Sequence, residues 1–146
     1  MTVRKIVLAG ASGNLGACFL RNLLESADHV FQPSVVSVDY DDHPALVQSL
    51  KGHDVVIAAI AGGIAMQIDP LLLSAAQEAA VRRIIPSQYT LDMLHPAAQA
   101  LFQDDWPDAY LVVLAQRYKM LAEAGGPTIY TGILTSMFLG SQCKTN

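Results

Sequence analysis

The chain has 146 residues, of which 52% are apolar and 15% charged, with a formal net charge of −4. That length and composition suit one domain with a real core and exclude general disorder. The nine basic residues are scattered singly or in pairs, which argues against a nucleic-acid surface, because phosphate neutralisation needs clustered Lys and Arg.

The first predicted strand is Lys5–Ala9, an apolar run of the kind covered on both faces. A helix follows from about Asn14 to Glu25, where Leu15, Phe19 and Leu23 repeat at four-residue spacing with Leu20 and Leu24 beside them. Val35–Val38 reads as another buried strand, ending in Asp39, Tyr40, Asp41 and Asp42. A short helix is expected next, with Asp41 or Asp42 near its N-cap and Gly52 past its end. Val55–Ile60 is the next strand and runs into Ala61, Gly62 and Gly63. Asp69-Pro70 is expected to open a helix, with the proline in its tolerated first turn, and Arg82-Arg83 to close it. Ile84-Ile85 makes a short strand before Pro86-Ser87. Thr90–Asp105 reads as irregular, Pro107–Ala124 as a helix, and Thr128–Leu134 as a last strand. Trp106 and the scattered Met66, Met93, Met120 and Met137 read as packing residues.

Alternation of strands and helices implies an α/β fold, a doubly wound parallel sheet whose ligand site lies at the carboxyl ends of its strands. In sequence those ends are Gly10–Gly16, Asp39–Asp42, Ala61–Gly63 and Pro86–Tyr89. The longest apolar run, Val55–Met66, is too short for a bilayer and contains a glycine pair. The stretch after Arg4-Lys5 is too short for a signal-peptide core, so a cytoplasmic chain is expected. Cys18 and Cys143 share no motif spacing and are expected to be thiols in such a compartment. The four histidines stand far apart, so no metal site is expected.

The strongest motif is Gly10, Gly13 and Gly16, spaced G-x-x-G-x-x-G between a predicted strand and a predicted helix. Gly10 permits a tight turn, Gly13 lets a diphosphate approach the backbone, and Gly16 lets the helix pack close to the sheet. The amides of the helix's first turn, through Leu15, then face the anion along the helix dipole. Ser12 and Asn14 add side-chain donors. No Gly-Lys-Ser/Thr follows, which excludes a Walker-type loop.

Val7–Gly16 resembles the start of the NmrA-like and isoflavone-reductase-like branch of the short-chain dehydrogenases, in its fungal form. The likeness continues through Val36–Asp42, Leu50–Ile57, Val81–Ser87 and Pro127–Leu134. It implies a Rossmann domain over 1–146 that binds NADP, or NAD, at Gly10, Ser12, Gly13, Asn14, Leu15, Gly16, Asp39 and Ala61. Members reduce small, often aromatic or phenolic, molecules or act as redox sensors. Four departures stand out. The family's second strand, with the arginine that reads the 2′-phosphate, has no counterpart between the first helix and Val35. Counting from Gly16 makes Val35–Asp39 the second strand, with Asp39 on an NAD ribose. The family register, preferred because Leu50–Ile57 fixes it, makes it the third, with Asp39 beside the adenine. The family's catalytic lysine falls at Leu114, and Lys119 lies five residues later, as the remaining catalytic candidate. Where the family often has Pro-Ser-Glu-Phe-Gly, this chain has Pro86, Ser87, Gln88, Tyr89 and Thr90. The chain stops at Asn146, where members run on into a C-terminal substrate domain.

No tyrosine has a lysine four residues later, so the Tyr-x-x-x-Lys mechanism of other short-chain dehydrogenases is rejected. The leading expectation is an NAD(P)-binding protein that transfers hydride from NADPH to a small aromatic or phenolic carbonyl or enone. The alternatives are a non-catalytic NAD(P) redox sensor and a degenerate fragment without cofactor. Neither nucleic acid nor membrane is an expected partner. A homodimer is expected, because a lost strand exposes a sheet edge.

Overall fold

The structure is a computed structural model and describes residues 4–27, 31–87, 89, 95–101 and 119. The element order is β1 (Ile6–Ala9), α1 (Asn14–Leu24), α2 (His43–Leu50), β2 (Val55–Ala58), α3 (Gly62–Glu78), β3 (Arg83–Ile85) and α4 (Pro96–Leu101). The three strands form a parallel sheet in the order β1-β2-β3. Ile6 pairs with Val55 and Ala9 with Ala58, and Val56 pairs with Ile84. Helices link each strand to the next, as parallel neighbours require.

Register and alternation sort the strand side chains onto two faces. Val7, Ala9, Val56, Ala58 and Ile84 share one face and join Leu46, Val47 and Leu50 of α2 and Leu72, Leu73, Ala75 and Ala76 of α3 in one core. Ile6, Leu8, Val55, Ile57 and Ile85 share the other face and are half-buried. No apolar side chain of α1 belongs to the core, and Leu15, Phe19, Leu20 and Leu23 stay half-buried. One face of the sheet is therefore dry and the other partly wet.

Local chemistry explains the helix ends. Asp42 caps α2 by accepting from the Ala45 amide at 3.0 Å, and Gly52 follows with φ +75°. The sequence placed both. The expected start at Asp69-Pro70 is corrected: α3 begins at Gly62 and holds Pro70 inside. A proline there removes one rung of the ladder. The buried stripe of Ala65, Asp69, Leu72 and Ala76 holds the helix through it. The helix also closes at Glu78, ahead of Arg82-Arg83, with Ala80 at φ +57° and Val81 N–H donating to Ala76 C=O at 2.9 Å. α4 occupies part of the stretch expected to be irregular, where Ala97 N–H donates to His95 Nδ1 at 3.2 Å ahead of a first-turn proline.

The expected strand Val35–Val38 is also corrected. It joins no sheet of the described strands, and Val35 is 99% exposed and Val36 69%. Val38 and Tyr40 pack against the core and anchor the C-terminal end of the segment. Among the described residues no strand pairs with it, and Pro33 removes a ladder donor just ahead. Cys18 is disulfide-bonded, which corrects the expectation of a thiol there; sequence spacing does not report the approach of two sulfurs in space. The predicted helix Pro107–Ala124 (apart from Lys119), the predicted strand Thr128–Leu134, Trp106, Met93, Met120 and Met137 lie outside the described residues. Among the described residues no helix is long and apolar enough to cross a membrane.

Candidate functional site

The β1–α1 turn is built by close approach. Gly10 adopts φ +78°, and a Cβ there would stand 2.6 Å from the Ala59 carbonyl oxygen. Both facts require glycine. A Cβ on Gly16 would overlap the Gly10 carbonyl oxygen, so the start of α1 can press onto the turn only without a side chain. Gly13 N–H donates to Gly10 C=O at 3.0 Å and closes the turn.

Gly13 is the N-cap of α1 and supplies no side-chain cap. The first rung of the helix is Ala17 N–H to Gly13 C=O at 2.8 Å. The amides of Asn14, Leu15 and Gly16 precede that rung and have no helical acceptor. They lie along the axis at the positive end of the helix dipole. Ser12, Gly13 and Asn14 are exposed above them. This is the donor set an oxygen-rich anion fits, and the bare Gly13 leaves room for it.

The carboxyl ends of β2 and β3 complete the floor. Asp69, 4% exposed, accepts from Ser87 N–H at 2.9 Å through one oxygen and from Ser87 Oγ at 3.0 Å through the other. Ser87 Oγ in turn accepts from Ile60 N–H at 3.0 Å. One buried carboxylate thus ties the turn after β3 to the turn after β2. Tyr89 donates from its hydroxyl to Ala58 C=O at 2.8 Å. Its ring meets Phe19 of α1 edge-on, with centroids 5.4 Å apart. Burial, and then the Asp69 charge, push the Tyr89 hydroxyl up to about 12. The same two causes, in the same order, raise Tyr40. Both phenols therefore stay protonated at neutral pH.

The structure brings Gly10, Gly13 and Gly16 together with the turn after β2, whose Ala61 is the exposed N-cap of α3. Asp39 is not set at the end of a strand. It is exposed and accepts from the Asp41 amide at 3.0 Å. Lys119 is helical and exposed. The reading from sequence placed Ser87 and Tyr89 at a strand end of the site without giving them a role, and it missed Asp69. The signal for Asp69 was an acid inside a Leu- and Ala-rich run, and the adjacent proline disguised it as a helix start. Among the described residues no group of His, Cys, Asp or Glu could hold a metal ion.

Residues 31–134 match a family of NAD(P)H-binding domains. The match begins after the glycine turn, so the turn rests on its own geometry. An oxidoreductase, aprR, of Aspergillus flavus is 35% identical over 109 residues, covering 63% of this chain and 35% of that protein. AtPrR2 with NADP+ and (+)-pinoresinol superposes with a TM-score of 0.66 at 18% identity, covering 99% of this chain and 56% of that one. An isoflavone reductase gives 0.66 at 21% identity, covering 96% and 53%. The leucoanthocyanidin reductase–NADPH complex of Vitis vinifera gives 0.63 at 19% identity, covering 86% and 46%. The chain thus spans about a third of the Aspergillus flavus relative and about half of these reductases. The family match over more than half of its length places the chain in a family of NAD(P)H-binding domains, and its fold is that of the Rossmann domains of these reductases.

Proposed function

We propose that the chain holds NAD(P)H with the diphosphate on the first turn of α1, and that the site serves reduction of a small aromatic or phenolic carbonyl or enone. The observation that carries the reading is the set of three uncapped amides, Asn14, Leu15 and Gly16, above a turn that admits glycine alone at Gly10 and Gly16. Ser12 and Asn14 supply side-chain donors, Ala61 borders the cofactor from the second turn, and Asp39 faces its adenosine half. A bound nicotinamide supplies the hydride. The protein's part is to fix the floor beneath it, through Asp69, Ser87 and Tyr89, and to hold the substrate. Lys119 is the candidate for polarising the substrate oxygen.

One observation favours a second reading, a non-catalytic module that reports the NAD(P) redox state. The polar groups of Ser87 and Tyr89 are all spent on the fold, and Tyr89 stays protonated to about pH 12, so neither offers a base. The first experiment is a titration of the folded chain with NADPH and NADH. Binding with Kd below about a millimolar is expected, and Gly13→Asp is expected to abolish it by placing a carboxylate among the amides. Failure of both cofactors to bind overturns both readings. With binding established, turnover of aromatic carbonyls or enones selects the enzyme, and its loss in Lys119→Ala assigns the lysine.

A further inference from the structure

Lys5 C=O accepts from Asp54 and Val55 amides at 2.8 and 3.3 Å, and Ala9 C=O accepts from the Ala59 amide at 2.9 Å. In a parallel ladder alternate residues send both backbone groups to the same neighbour. The odd residues of β1 therefore face β2, and the backbone groups of Ile6 and Leu8 face the opposite edge, where no described strand lies. The side chains of Ile6 and Leu8 stand on the wetter face of the sheet. Such an edge is a template for another strand. The other end of the sheet is shorter and starts on an exposed Arg83, a charge of the kind that discourages pairing.

The chain also carries an exposed segment of strand-like composition that joins no sheet of the described strands. Ser34–Val38 is made of valines and serines and belongs to no helix or sheet, and Val35 and Val36 are exposed, with no hydrogen bond to other described residues. We propose that two copies exchange these features about a twofold axis: Val35-Val36 of each copy adds antiparallel to the free edge of β1 in the other. Charge sets the direction. Arg4 and Lys5 lead into β1, and Asp39, Asp41 and Asp42 follow Val38, all of them exposed. An antiparallel register with Leu8 opposite Val36 puts Ala9 opposite Val35 and Lys5 opposite Asp39. A parallel register would carry the three acids to the glycine turn, where no cation waits. In the antiparallel register the amide and carbonyl of Leu8 meet those of Val36 as a hydrogen-bonded pair, and Val36 covers the half-wet face beside Leu8. The contact is isologous, so it closes at two copies.

Light scattering on the full chain tests this, independently of cofactor binding. The wild type is expected at twice the chain mass, dissociating on dilution. Val36→Pro removes the amide that Leu8 needs, at a residue whose amide bonds no other described residue, and is expected at the single-chain mass. Lys5→Glu alone and Asp39→Lys alone each set like charges opposite one another and are expected to be monomeric. An equal mixture of the two restores opposite charges at both contacts of a mixed dimer and is expected to recover the doubled mass. A wild type monomeric at every concentration overturns the proposal. So do single charge variants that dimerise like the wild type, or a mixture that stays monomeric.

Discussion

At one end of the sheet, β3 runs into a turn whose amide and hydroxyl are both taken by Asp69, and that turn in turn holds Ile60. At the other end, β1 carries two residues whose backbone groups meet no described strand, and the segment that should lie nearby projects Val35 and Val36 from the surface. The faces differ in the same sense. The α2–α3 face buries Val56 and Ala58 completely, while the α1 face leaves its strand side chains half-buried. The contrast teaches that a parallel strand is not a local property. Ser34–Val38 has the composition of a strand and lacks the neighbour that would make it one.

The largest way to break the contrast is to cut the buried tie. Asp69→Ala leaves the Ser87 amide and hydroxyl without their acceptor, and two hydrogen bonds to a charged group are together worth about 3 kcal/mol. Denaturant unfolding should show that loss. Asp69→Asn, which keeps one acceptor oxygen, should lose less. The valines supply the next comparison. Val56 is 0% exposed and Val35 99%. Val56→Ala opens a cavity and should cost about 2 kcal/mol. Val35→Ala, measured where the chain is monomeric, should stay within about 0.5 kcal/mol. Equal effects at the two valines would mean that the segment before Asp39 is packed after all.

What could be read from the sequence followed locality along the chain rather than packing. The turn at Gly10 and the close packing of Gly16 on the Gly10 carbonyl could be placed from spacing because they are set within seven residues, whereas the approach of Ala59 to Gly10 is long-range and was not. The Asp42 cap and the Gly52 stop are likewise local. Val35–Val38 failed because a short β-branched apolar run reports willingness to pair and says nothing about a partner. Pro70 failed because a stripe of buried residues across the whole of α3 outweighed one missing rung. The Asp69–Ser87 tie spans 18 residues, and no spacing rule connects a helix carboxylate to a turn hydroxyl.

Tyr89 ties α1 to the packed side, and its titration reads that contact directly. Tyr89→Phe removes the hydroxyl that donates to Ala58 C=O and should cost about 1 kcal/mol at neutral pH. The folded-state value lies above the ordinary tyrosine value of 10, at about 12. The stability linked to this group is therefore complete below pH 10 and is lost as pH rises toward 12, because the unfolded chain releases the proton first. Alkaline absorbance titration should show a late phenol that disappears in Tyr89→Phe. Normal titration of all five tyrosines in the folded chain would mean that the Tyr89 ring is not held under α1.

The packed side is not free of strain, and its strain offers the smallest test. Ala80 holds φ +57°, the left-handed region, between the last turn of α3 and β3. The conformation is imposed from both sides: Val81 N–H reaches back to Ala76 C=O, and Ala80 N–H to Gln77 C=O at 3.1 Å. An L side chain in that region costs roughly 1–2 kcal/mol, and glycine gives part of it back through the greater freedom of the unfolded chain. Ala80→Gly should therefore stabilise the chain by about 0.5–1 kcal/mol. Gly52, with φ +75° and open space around it, is the control: Gly52→Ala should destabilise by a similar amount, because it installs at the end of α2 the strain that Ala80 carries at the end of α3. If Ala80→Gly destabilises instead, the entropy glycine adds to the unfolded chain exceeds the strain it relieves, and the turn into β3 is held by its two hydrogen bonds with little opposition from the alanine.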